Sequence, residues 1–202
     1  MSVHLIGSNK LEPAFGSESG ESESLDFENW LLAAGNAIPL FWFFIFKSSD
    51  LKFHPINHDE EEAGSWEAPL NIPSTESKLA AKNLKENLPL LDEWFGEKGS
   101  LQYHVELFSN WLESIPYKYV TLDWYEPLAE GEEESVFYEE CITRIENKDI
   151  SIRSKLIEES TIDPSVRFIT LDEAKEGKFT SEEQHNFFFL LGDGDYHQPP
   201  WS

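Results

Sequence analysis

The chain has 202 residues, of which 39 are acidic and 15 basic, so its formal net charge is −24 at neutral pH. That charge disfavours direct binding to nucleic-acid phosphates and to anionic membranes, because both need basic patches. An aromatic content of 14% supplies enough apolar surface for a core, which excludes a wholly disordered chain.

The N-terminal region predicts two strands separated by an acidic loop. Residues 2–6 have the pattern of a short strand, and residues 16–25, GSESGESESL, have the composition of a flexible loop. A second strand is expected within residues 27–37, where Gly35-Asn36 would form the turn that ends it.

An apolar run from Ala37 to Phe46 follows and contains five aromatic rings. Pro39 is suited to the first position of a helix, so we predict a helix over residues 39–47. A helix that is apolar on all sides is buried. The run is much shorter than the about 20 residues that a membrane-spanning helix needs. We therefore expect a core segment and no membrane role.

Three prolines and an acidic run predict a loop over residues 54–73. The helical half of the protein is expected to begin near Ser74. One apolar stripe has helical spacing, and Pro89 inside it should split that helix near Leu88; its members are Leu84, Leu88, Leu91 and Phe95. A second stripe predicts a helix that ends before Pro116; its members are Leu101, Val105, Phe108 and Leu112.

The region after Pro116 begins with a strand pattern, YKYVTLDWYE, over residues 117–126. A helix follows, with Glu132, Glu133 and Glu134 favouring its positive N-terminal end. Its apolar stripe consists of Tyr138, Cys141, Ile142 and Ile145. Residues 149–160 predict a further helix, and residues 166–171 predict a strand. Cys141 is the only cysteine. We expect it to be buried and structural, because nearby carboxylates raise the pKa of a thiol.

In the C-terminal region, the sequence of one element is compatible with either a helix or a strand. Thr180 and Glu183 match a capping box and Gly192 matches a helix stop, which favours a helix over residues 181–191. The stretch NFFFLL alone would fit a buried strand equally well. Residues 193–202 are expected to form a turn and a tail, in which Trp201 either packs back on the body or offers a partner an anchor.

These elements predict an α+β fold, because strands and helices do not alternate regularly along the chain. We expect a single helix-rich domain over residues 1–202 with a small antiparallel sheet. The N-terminus shows no secretory signal, and a single cysteine fits a reducing compartment. The sequence therefore predicts a cytoplasmic protein.

Two groups of residues have the chemistry of weak metal ligands. His54 and His58 lie beside an acidic run, but Pro55 prevents the helical spacing that would aim them at one ion. Asp193, Asp195 and His197 alternate like half of a calcium loop without its remaining ligands. A solvated loop and a turn explain both groups better. We predict no metal site, no cofactor and no catalytic residue.

The segment LLAAGNAIPLFWFFIFKSSDL, residues 31–51, carries a resemblance. It resembles the start of small uncharacterised bacterial cytoplasmic proteins, several of which are similar to immunity proteins of toxin systems. The likeness rests on Asn36, Ile38, Pro39, Leu40, Phe41 and Trp42. It implies the fold class and a bacterial cytoplasm, and it implies packing roles for these residues with no catalytic set.

Three functions fit the sequence. The first is a non-enzymatic acidic protein that binds a basic partner protein, as an immunity-type inhibitor would. Its expected contact residues are Asp59, Glu60, Glu61, Glu62, Glu132, Glu133 and Glu134. The second is a subunit of a larger assembly, held through exposed Trp and Phe side chains. The third is a small-ligand or metal-dependent enzyme with an unrecognised aromatic pocket.

Overall fold

The computed structural model describes residues 2–9, 11, 30–54, 70–123, 132–194 and 198–202. Within these ranges a six-stranded antiparallel sheet has the order β3-β4-β5-β1-β2-β6. Its strands are β1 (Ser2–Ser8), β2 (Trp30–Gly35), β3 (Leu51–His54), β4 (Leu70–Glu76), β5 (Tyr119–Asp123) and β6 (Asp193–Gly194).

The centre of the sheet is a row of leucines. Leu5 of β1 lies opposite Leu122 of β5 on one side and opposite Leu32 of β2 on the other. All three are fully buried. Directly opposite residues on neighbouring strands point to the same face, so this row fixes the register of the three central strands.

Seven helices complete the described structure, and they confirm the predicted helix-rich α+β class with a small antiparallel sheet. That residues 1–202 form one domain stays a prediction. The helices are α1 (Ser77–Glu86), α2 (Leu88–Phe95), α3 (Gln102–Ser114), α4 (Glu132–Glu146), α5 (Arg153–Ser160), α6 (Leu171–Lys175) and α7 (Ser181–Leu191).

Several helix predictions are confirmed, because their signals are local. Helices α1 and α2 are separated at Asn87, as Pro89 predicts, since proline lacks the N–H that a continuous helix would use. Helix α7 begins with the capping box of Thr180 and Glu183 and ends at Gly192. The helical alternative for residues 181–191 is therefore the observed one.

The aromatic run is buried as expected, but it is not the predicted helix. Residues 40–46 are all 3% exposed or less. Only Leu40–Phe43 forms a helical turn, of the tighter 3₁₀ type, and Pro39 caps that turn instead of opening it. A second 3₁₀ turn, Ser48–Asp50, leads directly into β3.

Such an irregular segment has carbonyl groups without helical partners, and burial makes each unpaired group costly. Side chains from two helices supply partners. The Tyr138 hydroxyl of α4 donates to the Trp42 carbonyl at 2.7 Å. The Asn83 amide of α1 donates to the Ile45 carbonyl at 3.0 Å. The Trp42 indole N–H in turn donates to the Leu191 carbonyl of α7 at 3.0 Å.

Three further predicted segments need correction, and one lies outside the described residues. The loop predicted over residues 54–73 begins and ends within strands, because β3 includes His54 and β4 begins at Leu70. The strand predicted over residues 166–171 is wrong: residues 167–170 form no regular element, and Leu171 begins α6. The predicted acidic loop 16–25 lies outside the described residues.

The predicted tail 193–202 is the third correction. Asp193 and Gly194 pair with β2 as strand β6. Trp201 is 5% exposed, and its indole N–H donates to the Gly192 carbonyl at 2.9 Å. Of the two alternatives for Trp201, the structure shows the one in which it packs back on the body. Its ring lies 5.4 Å from Trp111 and 5.8 Å from Phe108.

Replacing Tyr138 with Phe tests whether the hydrogen bond from its hydroxyl stabilises the buried aromatic segment. The substitution leaves the buried Trp42 carbonyl without this donor, so we expect a loss of about 1–3 kcal/mol in the free energy of unfolding. Tyr103→Phe is a matched control, because its hydroxyl accepts a hydrogen bond from Leu171 N at the surface. The control should lose less than about 0.5 kcal/mol in urea unfolding. Equal losses in the two variants would contradict the assignment.

Replacing Gly192 with Ala tests the close approach of α7 to Trp42. Gly192 has φ 94° and ψ 164°, and an added Cβ would lie 2.7 Å from Trp42 Cζ2. This backbone conformation alone costs a non-glycine residue about 1–3 kcal/mol, and the contact adds to it. Gly177→Ala is the control, since it has φ 67° with nothing within 4 Å of the new Cβ. Thermal unfolding should show the larger loss for Gly192→Ala.

Candidate functional site

Two acidic segments, residues 55–69 and 124–131, are attached to the sheet. The strand register places their attachment points close together. His54, the last residue of β3, lies opposite Leu70, the first residue of β4. Strand β4 runs antiparallel to β5, with Ser74 opposite Thr121. The start of β4 therefore lies at the same end of the sheet as Asp123, the last residue of β5. Segments 55–69 and 124–131 both leave the sheet at this end, from neighbouring strands.

The composition of these segments is one-sided. Residues 55–69 contain five acidic side chains and residues 124–134 contain five more, and neither stretch contains a lysine or arginine. Asp59, Glu60, Glu61 and Glu62 lie outside the described residues. The backbones of Glu132, Glu133 and Glu134 begin helix α4, where negative charge favours the positive end of the helix.

The metal candidates are not brought together in the described part of the chain. His54 ends strand β3 and Asp193 begins strand β6, and these strands form opposite edges of the sheet. His58, Asp195 and His197 lie outside the described residues. The Asp193 carboxylate accepts a hydrogen bond from Gly194 N at 2.8 Å. Among the described residues, no three His, Cys, Asp or Glu side chains form a possible metal site.

Cys141 is fully buried, which confirms the expected burial. Burial raises the pKa of its thiol to about 12, and the negative charges of Glu159 and Glu140 add to the effect. The thiol therefore stays protonated at neutral pH, and a protonated thiol is a poor nucleophile.

Sequence reasoning missed a cavity of about 190 Å³ beside α6 and α7. Its walls are apolar and aromatic, and the side chains of Lys175 and Gln184 also line it. Residues 169–188 provide most of the wall, and residues 200–202 provide the rest. Because these two segments are separated in sequence and neither has a ligand-binding motif, only their packing could locate the cavity.

A buried histidine that sequence reasoning also missed lies next to this wall. His104 of α3 is 3% exposed, and its Nε2 donates to the Ile169 carbonyl at 2.8 Å. Its ring packs edge-on against Phe168 and Phe187. Nδ1 is buried and has no hydrogen-bond partner in the described structure. Burial lowers the pKa of His104, against a smaller opposing effect of the Glu173 carboxylate.

Arg167 ties the starts of α6 and α7 together. Its guanidinium contacts Glu173 at 2.7 Å and Glu183 at 2.5 Å. Each of these glutamates is the third residue of its helix and completes a capping box. Hydrogen bonds from Thr170 N and from Arg167 lower the pKa of Glu173 to about 2. The two helices that wall the cavity are thus held through one shared cation.

None of the helices in the described ranges combines the length and the apolar character that crossing a bilayer requires. Neither a family model nor a curated protein nor a solved structure matches the chain.

The unfolding free energy should depend on pH through His104. Because its pKa is lowered in the folded state, the neutral ring stabilises the fold fully above the unfolded value of 6.5. Below that pH the stability should fall by up to about 1.4 kcal/mol per pH unit. His104→Gln keeps a donor for Ile169 but does not titrate. Urea unfolding at pH 7.5 and pH 5.5 should show this additional loss of unfolding free energy only in the wild type. Equal losses in the wild type and in His104→Gln would contradict the role assigned to His104.

Proposed function

We propose that this chain is a non-enzymatic interaction protein that binds a basic partner protein, as an immunity-type inhibitor of a toxin would. The observation that carries the proposal is the pair of acidic segments that leave the same end of the sheet. Together with the first turn of α4, residues 55–69 and 124–134 hold ten acidic residues and no lysine or arginine. Because neighbouring strands carry the attachment points of both segments, we expect both to reach a single partner surface.

The proposed mechanism is electrostatic occupation of a basic cleft. An enzyme that acts on a polyanion needs a positive cleft, and a surface rich in carboxylates is complementary to it. The net charge of −24 would accelerate the encounter by steering. Exposed charges interact over a Debye length of about 8 Å at physiological salt, so the association should weaken as salt is added.

The proposal places the protein in a bacterial cytoplasm, where a reducing environment would keep the single thiol of Cys141 unoxidised. The rival role as an assembly subunit relied on exposed Trp and Phe side chains. In the described ranges the large apolar side chains that are exposed include neither type; they are Leu11, Leu79, Tyr103, Val136 and Ile150. That surface gives the assembly role no specific support.

Partner capture is the first test. The tagged protein should recover a specific basic protein from a lysate of its native host at low salt, and mass spectrometry should identify it. The purified pair should then bind in surface plasmon resonance with an association rate that falls as salt rises. The proposal would be contradicted if no specific partner were recovered, or if the association rate did not change with salt concentration.

Matched charge variants locate the contact. One variant carries Asp59→Asn, Glu60→Gln, Glu61→Gln and Glu62→Gln. Its control carries the same kinds of change at exposed positions elsewhere, namely Glu93→Gln, Glu158→Gln, Asp172→Asn and Glu182→Gln. Both remove four negative charges, so they lose the same net charge. We expect the association rate to fall about tenfold or more in the first and about twofold or less in the control.

A third variant extends the test to the start of helix α4. It carries Glu132→Gln, Glu133→Gln and Glu134→Gln and should also slow association. Thermal unfolding of all variants shows whether they are folded. Equal effects of the first variant and its control would show that net charge alone drives binding and that these segments are not the contact.

A further inference from the structure

We propose that the cavity beside α6 and α7 binds a small organic acid, with an aromatic body inside the cavity and its carboxylate at Lys175. This site is independent of the proposed partner surface. The acidic segments leave from β3, β4 and β5, whereas the cavity is lined by Trp201, whose indole N–H donates to the Gly192 carbonyl just before β6. Strands β3 and β6 are the two edges of the sheet.

The size of the cavity limits its ligand to about one ring. A volume of about 190 Å³ corresponds to roughly six water molecules at about 30 Å³ each. A closed apolar cavity of about 150 Å³ is enough to hold one benzene molecule. A single aromatic ring with a short side chain therefore fits this space.

The walls suit an aromatic ring. Leu171, Phe179, Phe187, Phe188 and Trp201 all face the space. Aromatic rings pack favourably against one another at centroid distances of about 4.5–7 Å, in stacked or edge-to-face geometry. Removing a ring from water into such surroundings is favourable in proportion to the apolar area that is buried.

The walls are also held in place before any ligand arrives. Trp201 is fixed by its hydrogen bond to Gly192 and by its contacts with Trp111 and Phe108. Phe187 packs against the ring of His104, which is itself bonded to Ile169. Since these side chains are already ordered, a ligand would not have to immobilise them, and this lowers the entropic cost of binding.

The polar groups at the cavity select a carboxylate. Lys175 forms no ion pair and Gln184 no side-chain hydrogen bond within the described ranges, and both side chains line the space. An ammonium group attracts an anion, and an amide N–H can donate to one of its oxygens.

Three of the neighbouring carboxylates, those of Glu173, Glu176 and Glu183, are already engaged with cations. Arg167 lies between Glu173 and Glu183, and Lys178 contacts Glu176 at 2.5 Å. Lys175 is therefore the cation available to an acid, although Asp172 and Glu182 are exposed nearby in sequence.

The test uses 3-phenylpropionate as the probe, with 3-phenylpropan-1-ol and butyrate as partial ligands. We expect saturable binding of 3-phenylpropionate by calorimetry, with a millimolar or lower dissociation constant. Amide and indole resonances of Lys175, Phe187 and Trp201 should shift in ¹⁵N-resolved NMR spectra. The alcohol lacks the charge and butyrate lacks the ring, so both should bind several-fold more weakly.

Two lysine variants separate the local contact from net charge. Lys175→Met should weaken binding of 3-phenylpropionate about two- to fivefold, as expected for loss of an exposed ion pair, and should leave binding of the alcohol unchanged. Lys178→Met removes the same charge from a residue that does not line the cavity, so it should have little effect. Ala174→Leu, which fills the cavity, should abolish binding of both probes.

Several results would contradict the proposed ligand site. Absence of saturable 3-phenylpropionate binding to the wild type overturns the proposal. Equal weakening by Lys175→Met and Lys178→Met, or binding that survives in a folded Ala174→Leu variant, overturns the assignment to this cavity. None of these results depends on whether the protein binds a basic partner.

Discussion

Burial of an irregular aromatic segment is the constraint on which the rest of the structure depends. Residues 40–46 form the centre of the core, yet only their first part is helical. Their backbone groups therefore need partners from elsewhere, because water cannot reach them. The side chains of Asn83 of α1 and Tyr138 of α4 donate to two of these carbonyls, and the Trp42 indole N–H donates to the last carbonyl of α7. Three helices that are far apart in sequence are thereby tied to one segment, which makes their packing cooperative.

The sheet separates the two regions of the protein for which we propose functions. Its β3-β4-β5 side carries the attachment points of the acidic segments, and its other edge, β6, lies next to Trp201 and the cavity. An interaction surface on one side and a small-ligand site on the other are compatible, since neither uses residues of the other. The shared Arg167 bridge holds the cavity walls without drawing on the acidic segments.

Errors of sequence interpretation occurred where a local pattern competed with a long-range contact. Residues 166–171 are rich in the β-branched and aromatic residues typical of strands, yet Ile169 is buried and its carbonyl accepts the hydrogen bond of His104. Thr170 then caps α6. In the same way the aromatic run has the apolar character of a buried helix, but it turns after Phe43 and continues towards β3. In the first segment a contact with a residue distant in sequence replaced the hydrogen bonds of the predicted strand. In the second, such contacts replaced the hydrogen bonds of the predicted helix.

The sequence by itself determined the α+β class, the break at Asn87, the cap and stop of α7, the burial of Cys141 and the acidic character of the chain. These features depend on residues within a few positions of one another, so their physical causes can be read directly along the chain. Tertiary packing alone determines that the attachment points of two acidic segments share one end of the sheet, that His104 is buried against Ile169 and that Trp201 lines a cavity. Those outcomes depend on strand order and on packing between distant residues, which no local pattern encodes.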